Sequence, residues 1–173
     1  MKKIVVVLIC VLFSSSFISA QENNEWKKNE IKLNLTSLLY TFPEIYYERI
    51  LSNDQGVGAS ISFPISDSDT KFMFMPYYRV YFSKNDVSKF FIEANTALML
   101  VKQYKYGYYY DYGYSSTTSL NVKAGLGFAV GYKYLNPKAG IVGEVYMGLG
   151  RSIGKNSDVI FYPRAGVAIG KLF

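Results

Sequence analysis

The chain has 173 residues, a formal net charge of +6, one cysteine and no histidine. The missing histidine excludes imidazole-based catalytic triads and histidine metal ligands. The charges are scattered and form no basic stripe of the kind that nucleic-acid binders carry, so nucleic acid is not an expected partner.

Lys2 and Lys3, the apolar run from Ile4 to Phe13, the serines after it and Ala20 read as a secretory signal peptide over residues 1–20. The run is short for a membrane-spanning helix, which needs about 20 apolar residues; a signal anchor is the alternative. Cys10 lies inside the run behind Ile9, where a lipoprotein cysteine would instead follow the run and small residues. The mature chain would then contain no cysteine and no disulfide. Residues 21–30 are polar and aperiodic and read as a linker, with Trp26 suited to a membrane surface.

From residue 31 to 173 the pattern has period two, the side-chain period of a strand. Ile31, Leu33 and Leu35 alternate with Lys32, Asn34 and Thr36. Ile45, Tyr47 and Leu51 alternate with Glu44, Tyr46 and Glu48. After the turn cluster at 52–56, Val57, Ala59, Ile61 and Phe63 alternate with Gly58, Ser60 and Ser62. Phe72 to Phe82 and Phe90 to Leu100 follow the same rule, with Arg79 and Glu93 on the polar faces. Leu120 to Tyr132 alternates with Lys123, glycines and Ala129; Ile141 to Leu149 alternates with Glu144 and Tyr146; Val159 to Phe173 alternates with Arg164, glycines and Ala168. The fold class expected is all-β: eight antiparallel strands in an up-and-down barrel. Pro76 and Pro163 fall within strands and are expected to mark bulges or strand ends, because proline lacks the N–H that a closed barrel uses.

Alternation does not say which face looks inward. A soluble lipocalin-like barrel, binding a hydrophobic ligand, would turn its apolar face in; a transmembrane barrel turns it to lipid. The polar face here mixes charges with many small residues, as a narrow lumen requires, while the other face is rich in Leu, Val, Ile, Phe and Tyr. Aromatic residues make up 17% of the sequence, which also suits a membrane barrel. Loops expected at 41–43, 65–70, 102–118 and 150–157 fall on one side, and shorter turns at 52–55, 83–88 and 134–138 on the other. The long side is the expected outside.

The polar face predicts a lumenal charge network of Lys32, Glu48, Arg79, Glu93, Lys123, Glu144 and Arg164. Counting along the strands, Arg79 should meet Glu93, and Glu144 should meet Arg164, with Lys123 and Glu48 nearby. No metal site or cofactor is expected. The stretch YKYGYYYDYGY at 104–114 continues the strand alternation and reads as a hairpin above the membrane. Its tyrosines, among them Tyr106, Tyr108, Tyr109, Tyr110 and Tyr112, would sit at the headgroup interface or form a recognition surface for an extracellular ligand.

The ending GVAIGKLF, with Phe173 last, resembles the terminal signature of bacterial outer-membrane proteins. Size, strand count and ending resemble the small barrels of the OmpX, OmpW and OmpA-membrane-domain type. The segments PEIYYERIL, GVGASISFPI, PYYRVYF and FFIEANT are similar to an uncharacterised family of small outer-membrane barrels. The resemblance implies a bacterial outer-membrane location, contact with lipid, and a terminal strand read by the barrel-assembly machinery. The expected protein is a monomeric, non-enzymatic barrel with a structural or surface-interaction role, and at most a minor pore.

Overall fold

A computed structural model describes residues 27–83, 87–109, 113–153 and 161–173, with the side chains of 104–109 and 113–117 outside the description. The expected signal peptide, Tyr110, Tyr112 and residues 154–160 also lie outside it. The strands are β1 (Asn29–Asn34), β2 (Glu44–Ser52), β3 (Gln55–Ser62), β4 (Thr70–Phe82), β5 (Ser88–Tyr109), β6 (Gly113–Asn136), β7 (Ile141–Ile153), β8 (Phe161–Pro163) and β9 (Gly166–Leu172). Every neighbour is antiparallel, and β8 and β9 are two pieces of one interrupted stave along β7. Pairing of β1 with β9, and of β6 with β7, closes a ring of eight staves. The seam is tied at its end, where Asn29 and Phe173 exchange backbone hydrogen bonds of 3.1 and 2.8 Å.

The alternation folds inside out relative to a water-soluble barrel. On β5, Phe91, Glu93, Asn95, Ala97 and Met99 are buried within, while Phe90, Ile92, Ala94 and Leu98 face outward and are exposed. The same outward belt continues through Val122, Leu126, Phe128, Val145, Met147, Leu149, Val167 and Ile169. Such a girdle of exposed aliphatic and aromatic side chains is stable against hydrocarbon and costly in water. No helix among the described residues is long and apolar enough to cross a membrane.

Large inward side chains fit because glycines face them. A Cβ at Gly58 would lie 2.5 Å from the Tyr77 ring, and one at Gly131 would lie 2.5 Å from Phe91. Both distances are inside van der Waals contact, so these two places admit no side chain.

Several boundaries differ from the sequence expectation. β1 opens at Asn29, so Asn29 and Glu30 belong to the barrel and not to a linker. The stretch expected to carry β1 on through Thr36 instead forms α1 (Leu35–Leu39). Asn34 caps it, its Oδ1 accepting from the Ser37 N–H at 3.2 Å. The helix stops where Thr41 turns left-handed at φ 57°, with Thr41 N–H bonded to Leu38 O and Phe42 N–H to Ser37 O. That is a Schellman arrangement with threonine where glycine is usual. Pro76 is neither a bulge nor an end. It pairs with Ala59, and the register to β5 is the same at Phe74–Leu98 and Tyr77–Asn95 on either side of it. Pro163, as expected, ends a strand.

The four connections at one end include the long hairpin; both described chain ends lie at the other. These are termed here the hairpin end and the terminal end. Beyond the reach of β4 and β7, which pair no further than Val101 and Ala124, β5 and β6 pair only with each other as far as Tyr109 and Gly113. That projection runs roughly 25 Å along the strand at ~3.3 Å per residue. Tyr106, Tyr108 and Tyr109 lie on its backbone.

The fold predicts that the folded protein resists SDS at room temperature and migrates differently after boiling. Complete recovery in a soluble fraction, with no heat-dependent shift, would contradict it.

Candidate functional site: a charged lattice across the lumen

Alternation sends one face of every stave into the lumen, and seven of the eight staves deliver a charged group there. Glu30 and Lys32 come from β1, Glu44 and Glu48 from β2, Arg79 from β4, Glu93 from β5, Lys133 from β6 and Glu144 from β7, with Arg164 from the break between β8 and β9. Stave β3 contributes Ser60, which donates to Glu44 at 2.7 Å, and glycines that leave room for its neighbours. All but Glu44 are buried. Burial of unpaired charge is costly, so each must find partners within the ring.

They do so densely. The Lys32 ammonium donates to Glu30 at 3.1 Å, to Glu48 at 2.6 Å and to Glu144 at 2.5 Å, which uses all three of its N–H bonds. Arg79 reaches Glu93 through Nε at 2.8 Å, Glu48 through Nη1 at 2.8 Å, and both oxygens of Glu144 through Nη1 at 3.0 and 2.9 Å. Lys133 donates to Glu30 at 2.8 Å, to Glu48 at 3.0 Å and to the Tyr81 hydroxyl at 2.6 Å. Glu48 is the common acceptor, taking Tyr77 at 3.2 Å and the Tyr81 hydroxyl as well.

Arg164 forms a second centre. Its Nε lies 2.8 Å from Glu93 Oε1, and its Nη1 lies 2.7 Å from Glu44 and 2.8 Å from the Tyr46 hydroxyl. Glu93, bonded by both arginines, joins the two centres. Aromatic faces complete the packing: the Arg79 guanidinium sits 4.5 Å from the Tyr77 ring centre and 4.2 Å from that of Phe91, and Lys133 sits 4.4 Å from that of Tyr81. Toward the hairpin end the lining changes to an apolar layer of Met75, Ala97, Met99, Val101 and Tyr162, with Met73 against it.

Six of the seven residues expected in the network are thus brought together: Lys32, Glu48, Arg79, Glu93, Glu144 and Arg164. Lys123 stands apart, half-buried beside Met99, six positions along β5 from Glu93. The expected Arg79–Glu93 contact forms between register partners. The expected Glu144–Arg164 contact does not. Glu144 is opposite Ala168 in register, and the break at 164–165 turns Arg164 toward Glu44 and Glu93. Counting residues from the strand ends ignores the stagger of a tilted barrel.

Glu30, Glu44 and Lys133 are additional members. Lys133 already stood on the polar face of its alternation; Glu30 was hidden by the polar run before it. The carboxylates of Glu30, Glu48 and Glu144 converge closely enough to resemble a metal-binding set. Lys32 donates to all three and Lys133 to two of them or within 3.5 Å, so ammonium groups already fill the position a cation would take.

At the hairpin end, a cleft of about 440 Å³ opens between the loops after β1 and β3, lined by Tyr40, Thr41, Phe42, Pro64, Asp67 and Asp69. Asp67 accepts from Lys71 at 2.5 Å and Lys102 at 3.0 Å. Those hydrogen bonds, followed by the charges that make them, hold its carboxyl down at about 2. These contacts link the loop to β4 and β5.

No protein-family model matches the sequence, and no curated protein matches it. Likeness appears in the fold. The N-terminal β-barrel domain of Pseudomonas aeruginosa OprF is 14% identical with a TM-score of 0.54, the match covering 85% of this chain and 98% of that domain. Neisserial surface protein A (NspA) is 15% identical with a TM-score of 0.54, over 84% of this chain and 95% of that one. The chain thus has the fold of small outer-membrane barrels; identities this low carry no activity across.

The lattice predicts that Arg79→Ala and Glu144→Ala each destabilise the barrel by ~3–5 kcal/mol, since each strands buried partners. The double variant should recover part of the loss. Urea titration in detergent, followed by circular dichroism, measures all three. Single variants as stable as the parent protein would show that these charges are solvated.

Proposed function

We propose that this chain is a non-enzymatic barrel of the bacterial outer membrane, closed to solute flow, with a structural or surface-interaction role. The observation that carries the reading is the lattice of buried, mutually bonded charges filling the middle of the lumen. Arg79, Lys32, Glu48 and Glu93 are completely buried there, and the methionine-rich layer lies beyond them. An eight-stranded barrel has interior enough for side chains and little more. A soluble ligand-binding barrel is a poorer fit, because its ligand would meet this charged interior while the apolar belt met water.

The outward belt is suited to lipid, and the hairpin formed by β5 and β6 is the element suited to a surface partner. Its tyrosines, Tyr106, Tyr108, Tyr109, Tyr110 and Tyr112, have the amphipathic character that interfaces favour. The reading includes a monomer exported through the segment 1–20 and assembled by recognition of its last strand. Phe173 is suited to such recognition: it is exposed at 47% on the outward face, while its backbone closes the seam with Asn29.

Reconstituted in planar bilayers, the protein should give rare or small conductance steps. Steady, large, ion-selective openings would show an open pore and defeat the reading.

Deleting Leu172 and Phe173 should reduce assembled protein in cells by far more than it destabilises barrel refolded in detergent. Surface display of the truncated chain at the parental level would remove Phe173 from any recognition role.

A further inference from the structure

The two ends of the barrel handle charge differently. At the hairpin end Lys71 and Lys102 both engage Asp67. At the terminal end, Lys27, Lys28, Arg49 and Lys138 are exposed and Lys171 is partly so, and none of the five forms an ion pair with another described residue. Asp54 is the sole exposed carboxylate among the described residues there, and it accepts from the Ser52 hydroxyl. Among the described residues, Glu30 and Glu48 point into the lumen and are bonded within the lattice.

The placement of the five is fixed by the fold. Arg49 pairs with Asn29, and Lys171 with Ile31 and Ile141, so both stand on the outward face at the last rungs. Lys28 is held to the rim because its carbonyl accepts from the Ile50 N–H at 2.7 Å. Lys138 lies in the turn between β6 and β7. The outward aromatics Tyr47, Phe82, Phe90, Tyr134 and Phe173 stand at the same end, Tyr47 and Lys171 sharing the rung of Ile31 and Phe173 lying beyond Lys171 at the seam. Such aromatics meet headgroups at a membrane interface. The cations therefore stand among outward aromatics along one half of the rim, at β9, β1, β2 and the β6–β7 turn.

We propose that this rim binds anionic phospholipid headgroups of the leaflet it faces, each phosphate being shared between rim cations over the aromatic belt. The proposal rests on the membrane reading above. Charge complementarity selects the partner: five cations with no ion-pair partner among the described residues attract phosphate-bearing anions and gain little from zwitterionic lipid of zero net charge.

The full-length folded protein, reconstituted in phosphatidylcholine vesicles, first tests the membrane reading by its heat-dependent gel shift. A chain that does not insert would overturn that reading, and the proposal with it. Spin-labelled phosphatidylglycerol and phosphatidylcholine then report the relative association of each lipid with the inserted barrel. Phosphatidylglycerol should be preferred about threefold at low salt. The preference should shrink in ~0.5 M salt, where the screening length falls to ~4 Å. Replacing Lys27, Lys28, Arg49, Lys138 and Lys171 together by glutamine should bring it to parity. The variant Lys71→Gln/Lys102→Gln, at the other end, should keep it. An inserted barrel with equal association of both lipids, or a preference unchanged in the five-fold variant, would overturn this proposal alone. So would rim-dependent binding of soluble polyglutamate without any lipid preference, which would assign the rim to an acidic macromolecule.

Discussion

The bond set around Glu48 is the constraint on which the barrel depends. Three cations from three different staves reach this one carboxylate; two of them go on to Glu30 and all three to Glu144. Apart from Lys32–Glu30, the pairs join residues far apart in the chain: Lys32 and Glu144 are 112 positions apart, and Lys133 and Glu30 are 103. The lattice can therefore be completed only when the ring is closed in the correct register. Buried ion pairs contribute little net stability against an apolar replacement, but an incomplete set is severely penalised. In a barrel the penalty has a further edge. A slip of one residue on any stave exchanges its two faces, which would carry Lys32, Glu48 or Arg79 into hydrocarbon, where charge is expensive. The lattice acts as a register lock more than as a source of stability.

A lock of this kind needs volume, and the glycines supply it. Tyr77 lies where a Cβ on Gly58 would be, and the aromatic faces it joins support Arg79. Tyr77 and Tyr81 serve twice, through their rings as cation supports and through their hydroxyls as donors to Glu48. The methionine layer above adds side chains that tolerate irregular gaps. Ion lattice and apolar layer are different chemistries stacked along one axis, and a hydrated solute that passed one would still meet the other.

Much of this was legible in the sequence because a strand's period of two is independent of its partners. It gave the staves, the inward and outward faces, and six members of the lattice. What stayed hidden depends on geometry that residue spacing does not encode. The five-residue helix α1 carries no glycine at its end, because Thr41 takes the left-handed place. Glu30 sits in a polar run that resembles a linker until the seam pairs it with Leu172. Arg164 missed its expected partner because the stave breaks beside Pro163. Pro76 is tolerated in mid-strand with the register intact, which a simple rule about missing N–H groups does not foresee.

The long hairpin gains its meaning from the lock beneath it. Its two strands leave the barrel with no other partners, and an isolated two-stranded ribbon is only marginally stable. Both are anchored by lattice members further down: Glu93 on β5 is gripped by Arg79 and Arg164, and Lys133 on β6 by Glu30 and Glu48. Nearer the exit, Lys102 is tied through Asp67 to Lys71 of β4. The ribbon therefore extends strands whose register is already fixed, and ordering it costs less conformational entropy than ordering a free hairpin would. The ion lattice thus gives the two projecting strands a base of fixed register.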